Sequence, residues 1–144
     1  MNEINLITEQ IIGAAIEVHR EKGPGLLESA YESCLAHELS LRGIQCARQV
    51  NVPLTYKGIV IDVAFRADII VANQVIVELK AVEFVLPVHK AQLLSYIRET
   101  GHCIGLLINF HARKLVDGVT RIVNDRYSVP SAGSVLKNWS ALFF

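Results

Sequence analysis

Phe65-Arg66-Ala67-Asp68-Ile69-Ile70-Val71-Ala72-Asn73-Gln74-Val75-Ile76-Val77-Glu78-Leu79-Lys80-Ala81 is the stretch that decides how this chain folds. Its two apolar runs, 65–71 and 75–81, read with a period of two as the arms of one hairpin. Phe65, Ala67, Ile69 and Val71 fall on one face of the first arm, and Val75, Val77, Leu79 and Ala81 on one face of the second. Both sets reach the same core only if paired positions sum to an even number, because a slip of one residue turns every side chain over. A three-residue loop, Ala72-Asn73-Gln74, supplies that register. It pairs Val71 with Val75, Ala67 with Leu79, and Asp68 with Glu78, and it leaves Lys80 one step along the acidic face. Carboxylates directly opposite each other on neighbouring strands repel. A cation bound between them removes the repulsion.

The residue types suit a hard divalent ion. Mg²⁺ takes oxygen ligands and commonly binds through one or two carboxylates, with water and substrate phosphate completing its shell. Asp68 and Glu78 would be those carboxylates, and the carbonyl of Leu79 a further oxygen. An ammonium beside the ion, that of Lys80, would orient the attacking water and offset phosphate charge as it moves. The competing reading is plainer: Glu78 and Lys80 sit solvated on an exposed strand face, and Asp68 pairs with Arg66 or Lys80.

Outward from the hairpin, residues 5–22 place Ile7, Ile11, Ala14 or Ala15 and Val18 at helical spacing, and Gly23-Pro24-Gly25 stops the run. A second helix is expected over 27–42, with Ala30, Cys34, Leu35 and Leu39 inward and Gly43 closing it. Residues 44–57 turn to β, with Val50, Val52 and Leu54 alternating, and a long run over 59–71 feeds the hairpin. Pro87 and Gly101 bracket a third helix over 87–100. Residues 102–110 read as a strand buried on both faces, since Ile104 to Ile108 shows no polar alternation. A strand, a helix and an apolar strand at this spacing imply a right-handed crossover between parallel strands. Residues 115–123 are expected to add a short strand or helix. A domain over 1–127 is thus followed by a tail, 128–144, that carries Leu136, Trp139, Leu142 and two terminal Phe and docks on the domain or on a partner.

The chain of 144 residues is half hydrophobic and its mean hydropathy is positive, which argues for one buried domain and against disorder. Its apolar runs are too short to span a membrane, and no signal peptide opens it. Cys34, Cys46 and Cys103 are scattered and lack CxxC spacing, as packing residues of a reducing compartment would be, so the expected location is the cytoplasm. Formal net charge is zero, so any polyanion must be held by a local basic face.

Other polar groups share helix faces. Gln92 and Tyr96 lie four apart on the third helix, and His89 extends the stripe. They suit phosphate, sugar or base contacts, or else they hydrogen-bond locally. Glu28, in the first turn of the second helix, either answers the helix dipole or gives a third carboxylate to the metal. The histidines show no HxH or HxxxH spacing, and there is no GxSxG, P-loop or dinucleotide fingerprint.

Gly25-Leu-Leu-Glu28-Ser-Ala-Tyr31 resembles the signature of the GxxExxY protein family, itself similar to the PD-(D/E)XK nuclease superfamily. Ala15 to His19, Arg66-Ala-Asp68, Val77-Glu-Leu-Lys80-Ala and Ala91-Gln-Leu-Leu-Ser-Tyr96 follow the same pattern in order, over about residues 5–124. The resemblance implies a restriction-endonuclease-like α/β fold, an αβββαβ core whose central mixed sheet is flanked by helices. It implies Asp68, Glu78 and Lys80 as the metal and catalytic set, Glu28 as an early-helix acid, and Gln92 and Tyr96 as the QxxxY helix of RecB-like nucleases. Ala67 stands where the proline of the "PD" pair would be. The implied activity is Mg²⁺-dependent hydrolysis of nucleic acid, DNA ahead of RNA, with Mn²⁺ as substitute and Arg66, Gln92 and Tyr96 orienting the strand. The alternative is a catalytically silent module that binds nucleic acid or protein. No membrane is expected as partner, and a homodimer is left open.

Overall fold

The computed structural model describes residues 3–126, the side chains of Val63 and Ala64 excepted. Its elements are α1 (Glu3–Lys22), α2 (Glu28–Leu41), β1 (Cys46–Tyr56), β2 (Ile59–Val71), β3 (Val75–Lys80), α3 (Pro87–Thr100), β4 (Ile104–Asn109), a 3-10 turn (Leu115–Gly118) and β5 (Val119–Val123). The stretch 115–123 therefore holds both a turn of helix and a strand. The tail expected from residue 128 lies outside the described residues.

The strands form one mixed sheet in the order β1-β2-β3-β4-β5. All neighbours run antiparallel except β3 and β4, which are parallel and joined through α3. Every residue of β4 is buried because helices cover both faces of the sheet. On one face Ile11, Tyr31 and Leu35 from α1 and α2 pack on Ile69, Val77 and Leu106. On the other, Leu93 and Ile97 of α3 pack on Ile76, Leu107 and Ile122. This is the α/β architecture expected, a central mixed sheet flanked by helices. Pro87 opens α3, and Gly101, at φ +77°, ends it in the left-handed conformation that a residue without Cβ adopts freely. Asn124 Nδ2 donates to the carbonyls of Ile97 (3.2 Å) and His102 (2.7 Å), tying the end of α3 to the end of β5.

Two expectations need correction. The inward stripe of α2 is Tyr31, Leu35 and Leu39, joined by Glu32, whereas Ala30 and Cys34 are only half-buried. The expected single face of β2 also divides. Ile69 and Val71 join the core under α1 and α2, but Ala67 lies in the core under α3 and Phe65 packs against it. The alternation breaks opposite Asp68. There Gln49 of β1 stands at φ +51° between Arg48, paired with Ile69, and Val50, paired with Ala67. A left-handed residue inside a strand turns the next side chain onto the other face, at a cost of about 1–3 kcal/mol for a residue other than glycine.

Candidate metal centre

The β2–β3 ladder runs from Val71–Val75 to Ile69–Val77 and stops there. The next rung would join Asp68 and Glu78. Instead their side chains take the main-chain partners: Asp68 Oδ2 accepts from the Leu79 N–H (2.9 Å), and Glu78 Oε1 accepts from the Asp68 N–H (3.2 Å). The two carboxyl groups thereby meet where the strands part. Glu78 is 8% exposed. Its carboxyl is pushed up to about 9, first by burial, then by the charge of Asp68 and their hydrogen bond; the main-chain bond and Lys80 pull weakly the other way. Among the described residues Asp68 forms no salt bridge with Arg66 or Lys80, and Glu78 is buried, so neither follows the solvated-face reading.

Lys80 is half-buried at the end of β3, and its carbonyl accepts from the Phe110 N–H (2.8 Å). Two residues beyond β3, Val82 is clamped through both main-chain groups by Asn109, the last residue of β4, at 2.8 and 3.1 Å. The segment leaving Lys80 for α3 is therefore fixed by a side chain acting as a further strand. Tyr96 of α3 stacks on Phe65, centroids 4.1 Å apart. Burial, and then the charges of Glu78 and Asp68, raise its phenol, which places it against the acidic pair. Gln92, one turn earlier, is exposed, as is Arg66 on β2. His89 is spent locally, its Nδ1 accepting from the Leu86 N–H (3.0 Å).

Glu28 is exposed at the first residue of α2, and no hydrogen bond or ion pair among the described residues joins it to the pair. The helix-borne carboxylate that does approach is Glu32, one turn later and 7% exposed. Gln49 Nε2 donates to Glu32 Oε1 (2.5 Å) and reaches Asp68 Oδ1 (3.5 Å). The sequence offered no signal for Glu32 or Gln49: a charged residue in mid-helix and a glutamine in a strand both read as surface.

The donor set suits one hard cation. Burial and the neighbouring Asp68 push the Glu78 carboxyl up more than Lys80 pulls it down, so a divalent ion would bring positive charge that the pair can use. Among the described residues no three His, Cys, Asp or Glu are grouped to hold a metal by themselves. Oxygens beyond the two carboxylates would come from main chain, water or substrate.

Gly25 and Tyr31 shape the turn between α1 and α2. Gly25 has φ +113°. Tyr31 is fully buried, stacks on Phe110 with centroids 4.3 Å apart, donates to the Gly23 carbonyl (2.5 Å) and accepts from the Leu26 N–H (3.1 Å). Its phenol thus staples the turn between α1 and α2. Tyr31→Phe keeps the ring stack and strands two main-chain groups, for an expected loss of about 1–3 kcal/mol. The urea midpoint measures it, and an unchanged midpoint would mean water replaces the hydroxyl.

A five-stranded mixed sheet between helices, opened at one rung by an acidic pair with a lysine beside it, is a nuclease-like scaffold. The chain belongs to the PD-(D/E)XK nuclease superfamily, whose family model matches residues 5–122. No curated protein matches it.

Proposed function

We propose that this protein is a divalent-metal-dependent nuclease that hydrolyses phosphodiester bonds in nucleic acid, DNA foremost, and that it represents the GxxExxY branch of its superfamily. The observation that carries this reading is the interrupted rung, in which the buried Glu78 carboxyl and the half-buried Asp68 carboxyl are held side by side at the end of the ladder. Asp68, Glu78 and the Leu79 carbonyl would hold Mg²⁺ or Mn²⁺. Bound there, such an ion polarises the scissile phosphate and lowers the pKa of water. The Lys80 ammonium positions the attacking water and stabilises the charge that builds on phosphate oxygens. Tyr96, fixed by Phe65, and the exposed Gln92 and Arg66 orient the strand.

A local basic face supports a polyanionic substrate despite the zero net charge. His111, Arg113 and Lys114 are exposed on the loop after β4, which begins one residue past the Phe110–Lys80 bond. His19 Nε2 donates to the Ala112 carbonyl (2.8 Å) and holds that loop against α1.

The test is incubation with single-stranded DNA, duplex DNA and RNA in Mg²⁺, in Mn²⁺ and in chelator. Cleavage that requires the metal is expected. Absence of cleavage on all three, together with no Mn²⁺ binding in titration, would overturn the reading. No helix among the described residues is long and apolar enough to cross a membrane.

A further inference from the structure

We propose that Gln49 is a positioning residue for Asp68 and that Glu32 sets the direction in which its amide points. The inference rests on the reading of Asp68 as the metal-holding carboxylate and adds to it two residues outside that set.

The geometry is a chain of four side chains. Arg48 Nε donates to Glu32 Oε2 (3.0 Å), and Arg48 Nη2 to Ser33 Oγ (2.8 Å), so the Glu32 carboxylate is anchored on α2. With Oε2 taken by Arg48, Glu32 accepts from the Gln49 amide nitrogen through Oε1, and the same nitrogen faces Asp68 Oδ1. The other oxygen of Asp68 is held by the Leu79 N–H. One oxygen is thus held by main chain and the other is approached by an amide, so the carboxylate is oriented before any ion arrives. Without Glu32 as acceptor, the amide could reverse and present its carbonyl to Asp68, which would push the carboxylate away.

The backbone gives independent support. An extended residue at 49 would send Arg48 and Val50 to the same face. The left-handed conformation (φ +51°) lets Arg48 reach α2 while Val50 packs against the α3 core, leaving Gln49 between Glu32 and Asp68. Strain at a residue other than glycine is kept where the surroundings require it, and such places cluster at functional sites.

Three measurements test the proposal on the whole chain. In metal-free protein the side-chain amide resonances of ¹⁵N-labelled Gln49 should move on Asp68→Asn and again on Glu32→Gln. In Mn²⁺ titration Gln49→Met should weaken binding about 10- to 100-fold. In DNA cleavage the same variant should lose kcat by a similar factor and keep KM, because it does not touch the strand. Wild-type Mn²⁺ affinity and kcat in Gln49→Met would overturn the proposal, as would Gln49 amide signals indifferent to Asp68→Asn. If the wild-type chain neither binds Mn²⁺ nor cuts, the nuclease reading fails by itself, and the amide resonances alone decide whether Gln49 holds Asp68.

Discussion

Lys80→Ala is expected to lower kcat for DNA cleavage by about 10³-fold while Mn²⁺ still binds. The lysine is last in β3, and its strand contacts are main-chain: pairing with Asn109 on β4 and the Phe110 N–H on its carbonyl. Alanine preserves all of these. What it removes is the one ammonium whose charge reaches the acidic pair from the same strand. Loss of about 4 kcal/mol of transition-state stabilisation, with ground-state metal affinity retained, is the signature of a group that acts on the reacting phosphate. Asp68→Asn should differ. It keeps an oxygen for the Leu79 N–H, so the strands stay in place, but it loses the charge that holds the ion, so cleavage and Mn²⁺ affinity should fall together. Single-turnover cleavage beside Mn²⁺ titration separates the two patterns. Equal activity in wild type and both variants would assign the cleavage to a contaminant or to another site.

The metal-free protein should lose stability as pH rises. Glu78 has its carboxyl pushed from an ordinary 4.5 up to about 9 in the folded state. The folded chain then binds a proton that the unfolded chain has released, so the stabilisation is complete below about pH 4.5 and is lost progressively as pH climbs to about 9. The slope is at most about 1.4 kcal/mol per pH unit. Urea midpoints measured in chelator across that window should fall, and Glu78→Gln, which cannot ionise, should flatten the decline. Mg²⁺ or Mn²⁺ should restore the midpoint at the alkaline end, because the ion takes the place of the proton and binds the folded chain alone. A flat profile in wild-type protein would show that Glu78 is solvated.

The fold was largely legible because its signals are local. Period-two apolar runs around Ala72-Asn73-Gln74 gave the pairing of Val71 with Val75, and Pro87 and Gly101 marked both ends of α3. The nearness of the acidic pair was legible too, but the rungs expected between Asp68 and Glu78 and between Ala67 and Leu79 do not form, because the two carboxyl groups take the main-chain donors there. Gln49 was not legible. Its left-handed backbone has no glycine or asparagine to announce it, and the faces of β2 change over opposite it. Glu32 was hidden by its charge, because burial of a carboxylate depends on Arg48 and Gln49, which come from another element. Glu28 attracted attention through its motif, yet α2 turns it outward, and the buried members of that segment are tertiary contacts of Tyr31 with Phe110 and the Gly23 turn.

The interrupted rung between β2 and β3 also implies a trade between durability and chemistry. Asp68 and Glu78 occupy main-chain donors that an ordinary hairpin would spend on its neighbour, and they do so as a crowded pair of acids. Valine at both positions would let the hairpin zip to the end of β3 and shed the repulsion, leaving a sturdier protein without the acidic pair. A seam left open in the middle of a sheet is therefore a flaw the fold tolerates for what can enter it.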